Sequence, residues 1–203
     1  MNVSHMGDSA LLVETRDSAD AQRLRQALDA ERLPGVRQLV PGYDSLLVAA
    51  DPLIVDLDAL ARRLPELLRV PVRTPVGRSH EIPVRYTGEE LDAIAAELGM
   101  SAGEVVRRHS AAAYTVAFLG FAPGFAYLTG LDPTLQLPRL ATPRTRTPEG
   151  AVAVAGEFTG IYPQATPGGW RVLGVTTTRL FDATRISPAL CAPGDHVRFK
   201  VIP

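Results

Sequence analysis

The strongest constraint on the fold is the uneven distribution of turn-forming residues. Glycine and proline number 17 each, and both concentrate after residue 119. Proline lacks an amide hydrogen and glycine costs backbone entropy in a helix, so this half of the chain is unsuited to long helices. The pattern predicts short strands in a β-sandwich or a closed barrel. The apolar runs that alternate with the turns lie at 114–118, 151–155, 170–175 and 196–202.

The first 79 residues have a different pattern, that of a small α/β unit. Pro65 lies inside the second predicted helix and is expected to kink or shorten it. With an extended run at 81–86, the order is strand, helix, strand, strand, helix, strand, which is typical of ferredoxin-like folds. The other predicted elements are strands at 10–14, 36–40 and 45–49 and helices at 18–30 and after Asp56.

A proline-containing stretch marks the domain boundary. Two prolines within 70–79 suppress helix and favour an extended backbone, so we place one domain at 1–79 and the other at 80–203. The second domain begins with a helix at 89–98. Ser101 and Glu104 then form a capping box for another helix, which runs towards His109. The expected fold class is therefore α+β.

Charge and composition narrow the possible functions of this 203-residue chain. Lysine plus arginine total 21 and aspartate plus glutamate total 22, which excludes charge-driven binding to nucleic acid or anionic membranes. A single cysteine, Cys191, rules out an intrachain disulfide, and four scattered histidines indicate no metal site. No apolar run approaches a membrane span and the first residues lack a signal-peptide pattern, so we expect a cytoplasmic protein.

The segment 118–128, FLGFAPGFAYL, is the first candidate for chemistry. It places four aromatic residues, Phe121 and Phe125 among them, around two glycines and a proline. Pro123 and Gly124 fix a tight turn, and aromatic residues spaced in this way are able to line a concave apolar pocket. The alternative is a barrel core with tight corners, because aromatic pairs are common in cores.

Two arginines that directly follow prolines are the second candidate. Arg139 and Arg144 lie on a stiffened backbone, which favours bidentate recognition of a carboxylate or phosphate. Alternatively, both are solvated surface residues or pair with acidic side chains. Tyr162 and Trp170, amphipathic aromatic residues typical of ligand sites and interfaces, lie beside the turn residues Pro163, Gly168 and Gly169.

These motifs together carry a family resemblance that covers nearly the whole chain. The sequence resembles the PxpB/KipI family, also called allophanate hydrolase subunit 1 or carboxyltransferase domain, subdomains C and D. The resemblance implies a ferredoxin-like domain followed by a cyclophilin-like β-barrel. Its motifs are FLGFAPGFAYL at 118–128, PR at 138–139, TPR at 142–144, Gly150, TGIYP at 159–163, PGGW at 167–170 and PGD at 193–195.

The resemblance also implies a function carried out with partners. Family members act with a larger homologous subunit of the PxpC/KipA type and a PxpA-type subunit as an ATP-dependent 5-oxoprolinase, which opens 5-oxoproline to glutamate. Other members inhibit a sporulation histidine kinase, and related fused domains belong to the carboxyltransferase part of urea carboxylase. No phosphate-binding loop is present, so ATP is expected to act in the assembled complex and not to bind to this chain alone.

Roles for individual residues follow from the resemblance. Arg139 and Arg144 would hold the anionic group of a small amide substrate, Phe121, Phe125, Tyr162 and Trp170 would shape the pocket, and His109 would act as an acid or base. The expected structural turns are Pro123, Gly124, Gly150, Pro163, Gly168 and Gly169. The sequence departs from the family pattern at Thr147, Ala151, Phe158 and Val175.

Overall fold

The computed structural model describes residues 1–69, 77–87 and 89–203, and the chain divides into two compact units, Met1–Val76 and Gly77–Pro203. Most of the extended stretch predicted at 70–79 lies outside the described residues. In the described part of the chain, no helix has the length and apolar character needed to cross a lipid bilayer.

The first unit is an antiparallel four-stranded sheet with two helices on one face. The strand order is β1-β2-β4-β3, and apolar residues that alternate along β2 and β4 face the helices in one buried cluster. Asp17 and Asp56 cap the two helices by accepting hydrogen bonds from backbone amides, as predicted for Asp56. The elements are β1 Asn2–His5, β2 Ala10–Glu14, α1 Ser18–Glu31, β3 Val36–Pro41, β4 Ser45–Ala50 and α2 Leu57–Leu67.

The structure of this unit differs from the prediction at residues 81–86 and agrees with it at Pro65. The strand predicted at 81–86 does not complete the sheet of the first unit. The observed strand β5 (Ser79–Val84) belongs to the second unit and pairs with a strand of that unit. The position beside β2 is taken instead by β1, which the sequence analysis did not predict. Pro65 lies near the end of α2, which stops two residues later at Leu67, so the helix is short as expected.

The second unit is a nearly closed, barrel-like sheet of seven strands. Their order is β12-β9-β10-β7-β6-β13-β5, with β13 and β5 parallel and every other pair antiparallel. Two backbone hydrogen bonds of 2.9 Å between Arg85 and Val175 join the first strand of this order to the last. The strands are β5 Ser79–Val84, β6 Tyr114–Leu119, β7 Ala126–Thr129, β9 Ala151–Ala155, β10 Phe158–Ile161, β12 Arg171–Val175 and β13 His196–Val201.

Two helices and a small hairpin complete this unit. The helix α3 (Glu89–Glu97) packs against β12, and α4 (Ala102–Ala111) packs against β13. The Ser101 hydroxyl accepts the Glu104 amide, which confirms one half of the predicted capping box, whereas the Glu104 carboxylate accepts from Arg107 and Arg108. The strands β8 (Arg144–Thr147) and β11 (Thr166–Gly168) form a separate two-stranded sheet. The four apolar runs predicted as strands are all strands, and the short β7, β8, β10 and β11 were not predicted.

Candidate functional site

The candidate site lies on one face of the strand β9, whose sequence is AVAVA. All five residues are buried, but the two sets of side chains point into different environments. The valines join the mainly aliphatic cluster inside the barrel, whereas Ala151, Ala153 and Ala155 join a second cluster with three aromatic residues. Because alanine side chains are short, they leave room on this face for large rings. We call this second cluster the aromatic face.

A strained loop connects β6 to this aromatic face. The Ala122 amide donates to the Gly120 carbonyl (2.8 Å), so Phe121 is the central residue of a γ-turn with a φ of 67°. This backbone region is unfavourable for a bulky residue. A second turn follows, in which the Phe125 amide donates to the Ala122 carbonyl (2.9 Å) and Gly124 has a φ of 85°. The predicted Pro123–Gly124 turn is therefore present and explained by this positive φ.

Phe125 is the centre of the aromatic face. Its ring is 1% exposed and contacts four other rings edge-on at centroid distances of 5.1 to 5.4 Å. Such edge-to-face pairs stabilise a cluster beyond its buried area. The four partner rings are Phe121, Tyr127, Tyr162 and Trp170.

A small pocket opens where these rings meet the surface. Its volume is about 70 Å³, and Phe121 stands at its edge with 61% of its surface exposed. The wall combines rings, two glycines and one arginine, so it offers apolar surface and a single positive charge. The lining residues are Phe121, Phe125, Tyr127, Arg139, Tyr162, Gly168, Gly169 and Trp170.

Arg139 supplies the charge of the pocket. The adjacent Leu140 amide donates to the Gly169 carbonyl (2.7 Å), which fixes this backbone against the pocket wall. The Arg139 side chain is exposed, and in the described part of the chain no carboxylate pairs with it. An unpaired guanidinium beside an apolar wall is suited to a small anion.

Tyr162 places a hydroxyl group beside that charge. Its backbone carbonyl accepts the Gly150 amide (2.8 Å), which anchors the residue after β10. Burial raises the pKa of Tyr162, while the Trp170 backbone, the Thr147 hydroxyl and the nearby arginines oppose the rise. The phenol therefore stays protonated at neutral pH and is able to donate a hydrogen bond.

Glycine is required where the Tyr162 ring crosses the pocket wall. A Cβ atom at Gly168 would lie 2.3 Å from the Tyr162 hydroxyl oxygen, closer than any such contact allows. Gly169 also lines the pocket, whereas Pro163, the other predicted turn residue of this region, is half-buried outside the lining.

The structure gives Arg144 a role different from the predicted one. Its Nε donates to Glu90 Oε1 (2.7 Å), its Nη2 pairs with Glu90 Oε2, and its Nη1 donates to the Trp170 carbonyl (2.8 Å). Because the guanidinium is already engaged by a carboxylate and a carbonyl, and does not line the pocket, we correct its assignment from anion binding to structural support. Its acidic partner, Glu90, was not singled out from the sequence.

His109 also lies away from the pocket, fully buried inside the barrel unit. Its Nε2 contacts the Thr159 hydroxyl (2.8 Å), which itself donates to the Ala153 carbonyl (3.0 Å), and its Nδ1 contacts the Tyr86 hydroxyl (2.7 Å). These contacts fit a neutral ring that donates from Nε2 and accepts at Nδ1. Burial lowers the pKa of His109 to about 3. The geometry argues against the predicted acid–base role and favours a structural one.

Tyr127 is one of the four aromatic residues of the 118–128 segment that were expected to line a pocket, but it was given no role of its own. Its ring lines the pocket and stacks on Phe118 at 4.2 Å. Alternation along β7 is the signal that identifies it, because Ala126 and Leu128 face the barrel core and their neighbour must face the other side. Burial raises the pKa of the Tyr127 phenol, and the charge of Arg139 opposes the rise.

The departures from the family pattern lie around the aromatic face. Phe158 is edge-on to Tyr127 at 5.6 Å, Ala151 belongs to the same cluster, and Thr147 is buried next to it. None of these three lines the pocket. Val175 takes part through its backbone, which joins the ends of the seven-stranded sheet.

A larger recess of about 470 Å³ lies beside the starts of β5 and β13. Two of its side chains have partners, His80 Nε2 with Asp195 (2.8 Å) and Glu81 with Lys200 (3.1 Å), whereas the exposed Arg198 has no carboxylate partner in the described part of the chain. Because the aromatic pocket combines an unpaired charge with rigid apolar walls, it is the better candidate for a specific ligand site.

Comparison with known proteins agrees with this architecture. The model of the family described as carboxyltransferase domain, subdomain C and D, matches residues 1–191. The chain belongs to this family, which confirms the resemblance drawn from its motifs.

Individual proteins are also similar to this chain in sequence and in fold. The chain is 39% identical over 202 residues to a 5-oxoprolinase subunit of Escherichia coli O157:H7, covering 96% of this chain and 93% of the relative. The crystal structure of TTHA0988 superposes with a TM-score of 0.82 at 39% identity, covering 96% of this chain but only 40% of that one. Urea carboxylase of Kluyveromyces lactis shares the fold at 19% identity and a TM-score of 0.72, over 99% of this chain and 22% of its own length.

Proposed function

We propose that this chain is a non-autonomous subunit of an ATP-dependent 5-oxoprolinase, a cyclic-amide hydrolase that works with a larger homologous subunit and a third subunit. The support is its similarity, over nearly its full length, to a protein named as one of the subunits of 5-oxoprolinase. The finer fold assignment belongs to the same proposal: a ferredoxin-like first domain and a cyclophilin-like barrel as the second. A cytoplasmic location stays a prediction.

The observation that carries the proposal is the unpaired Arg139 beside the aromatic pocket. The substrate, 5-oxoproline, is a small five-membered lactam with one carboxylate. A carboxylate suits the Arg139 guanidinium, and the flat ring suits the walls formed by Phe125 and Trp170. The protonated hydroxyl groups of Tyr127 and Tyr162 are available to the amide or carboxylate oxygens.

The proposed contribution of this chain is to bind and orient the lactam. Ring opening adds water across the C–N bond of the amide, and ATP supplies the activation by phosphorylating the amide oxygen. ADP leaves in that transfer, and a second water releases the phosphoryl group as phosphate. Arg139 would hold the carboxylate while the aromatic rings keep bulk water from the activated amide. Because the sequence has no phosphate-binding loop, we propose that ATP binds elsewhere in the assembled complex.

The proposal is tested by reconstituting the complex from this chain, its larger homologous partner and the third subunit. We expect ATP hydrolysis that depends on 5-oxoproline and on all three chains. Arg139→Gln should lower kcat/KM for 5-oxoproline about 50-fold, the cost of losing one charge-assisted interaction. Arg146→Gln is the matched control, because Arg146 is an exposed arginine of β8 outside the pocket. Equal activity of the two variants would refute the binding role of Arg139.

The same reconstitution separates the alternatives. The family description favours a carboxyltransferase-type subunit as the second candidate. If the complex assembles but leaves 5-oxoproline intact, and instead carboxylates a small amide such as urea from carboxybiotin, the second candidate replaces the first. Inhibition of a histidine kinase by the isolated chain, without turnover of either substrate, would favour a regulatory protein.

A further inference from the structure

The inference concerns the stretch of chain that forms one wall of the pocket, residues 168–172, which we call the wall segment. It contains Gly168, Gly169 and Trp170 and continues into β12. β12 is a terminal strand of the seven-stranded sheet, paired with β9 on one side. On its other side, the backbone hydrogen bonds with Arg85 begin only at Val175. At residues 170–172 this edge therefore lies open to side-chain partners, whereas Gly168 pairs with Arg144 of β8 and the Gly169 carbonyl accepts the Leu140 amide.

An ion pair occupies this edge. Arg144 Nη1 donates to the Trp170 carbonyl (2.8 Å) and contacts the Gly168 carbonyl (3.4 Å), while the Val172 amide donates to Glu90 Oε2 (2.8 Å). The pair thus contacts the backbone at every second residue, as a neighbouring strand would. Glu90 and Arg144 are joined to each other by two contacts, and both are partly buried.

The wall segment in turn determines the shape of the pocket. Trp170 is 5% exposed and meets Phe125 edge-on at 5.3 Å. Its backbone hydrogen-bonds to the Tyr162 phenol, which also lies directly over Gly168. A shift of this segment would therefore displace one ring and one hydroxyl group of the site together.

We propose that Glu90 and Arg144 are positioning residues, which replace the missing strand partner of residues 170–172 of the wall segment and thereby fix Trp170 and Tyr162 in the pocket. Neither residue touches the ligand in this proposal. The effect on Trp170 is independent of the substrate, whereas an effect on 5-oxoproline binding rests on the proposed function. The two are therefore measured separately.

Trp170 provides a direct spectroscopic measurement, because it is the only tryptophan in the chain. We expect Glu90→Gln to shift its fluorescence emission to longer wavelength and to raise the acrylamide quenching constant about twofold, since a loosened ring gains solvent. Glu90→Asp, which keeps the charge, should restore part of both signals. If Glu90→Gln does not fold, Arg144→Lys replaces it, because lysine keeps the charge but loses the paired contacts to Glu90 and the carbonyls.

A second ion pair, between the helix α3 and the strand β12, provides a matched control. Glu97 of α3 accepts from Nη2 of Arg171, a side chain of the wall segment (2.6 Å), but among the described residues neither of these two side chains hydrogen-bonds to the backbone of that segment. Glu97→Gln should leave emission and quenching unchanged. A folded Glu90→Gln or Arg144→Lys variant with wild-type fluorescence would overturn the proposal.

In the reconstituted complex, Glu90→Gln should raise KM for 5-oxoproline about tenfold with a smaller change in kcat, since the pocket wall binds the ring. If wild-type complex does not turn over 5-oxoproline, the proposed function fails while the fluorescence result still decides the positioning role. If fluorescence changes but KM does not, Glu90 holds the wall segment without tuning the site, and the positioning role in binding is refuted.

Discussion

The two faces of β9 bury their residues equally well, yet they are built differently. Val152 and Val154 pack into a mainly aliphatic core, while Ala151, Ala153 and Ala155 lie beneath a layer of aromatic rings. The core inside the barrel forms one continuous cluster. The aromatic layer meets the surface and leaves a pocket there.

The two faces also differ in whether their polar groups have hydrogen-bond or ion-pair partners. Inside the barrel, His109, Tyr86 and Thr159 satisfy one another in a hydrogen-bonded chain. On the aromatic face, Arg139 has no carboxylate partner in the described part of the chain, and Phe121 is held at a positive φ. Unpaired charge and backbone strain together are typical of binding sites, so the difference makes the aromatic face the candidate for function.

The largest expected effect comes from two large-to-small substitutions on opposite faces. Phe125 and Leu128 are each 1% exposed and only three residues apart. Phe125→Ala should lower the free energy of unfolding by about 4 kcal/mol and Leu128→Ala by about 3 kcal/mol, because both leave cavities. Only Phe125→Ala should change Trp170 fluorescence, since its ring touches that side chain. Urea titration followed by circular dichroism measures the stability of each variant.

These two variants test whether the barrel core and the aromatic face respond independently to a cavity. A change in Trp170 emission in folded Leu128→Ala as large as that in folded Phe125→Ala would show that the barrel core and the pocket respond as one unit.

The second prediction concerns the buried histidine of the barrel interior. The pKa of His109 is about 3 in the folded protein, against 6.5 for an ordinary histidine. The unfolded chain therefore binds a proton below about pH 6.5 that the folded chain does not bind, so stability falls as pH falls. The loss attributable to His109 should reach about 2 kcal/mol at pH 5. Urea titrations at pH 7 and pH 5 measure it.

His109→Gln should lose this part of the pH dependence, while its stability at pH 7 also falls because a buried hydrogen-bonded group is replaced. His5→Gln is the control, since His5 is half-exposed in the first unit. The same slope between pH 7 and 5 in wild type and His109→Gln would contradict the neutral, buried state of this ring.

The smallest expected effect concerns the strain at Phe121. Glycine accepts a φ of 67° without a Cβ clash, whereas alanine does not. Phe121→Gly should therefore be about 1 kcal/mol more stable than Phe121→Ala, although alanine is the more stabilising residue at ordinary backbone angles. Both variants lack the ring, so both should bind 5-oxoproline more weakly. Thermal unfolding of the pair isolates the strain, and a more stable alanine variant would show that the γ-turn is absent in solution.

Local chemistry in the sequence predicted much of this fold. Helix caps at Asp56 and Ser101, the Pro123–Gly124 turn and the four apolar runs all appear where expected, because each depends on residues a few positions apart. The sequence also placed Phe121, Phe125, Tyr162 and Trp170 in one site, and the structure brings these four together around the pocket.

The sequence did not determine which distant groups would meet. The strand at Ser79–Val84 pairs with a strand more than 100 residues later, and nothing local distinguishes that partner from β2. Arg139 and Arg144 follow prolines alike, yet only Arg144 meets a carboxylate, 54 residues away. Motif position favoured His109 as an acid or base, but the surrounding rings exclude water from it. The turns, caps and strand runs were thus determined by the sequence, while burial and ion pairing were decided by the tertiary structure, because both depend on groups brought together from remote parts of the chain.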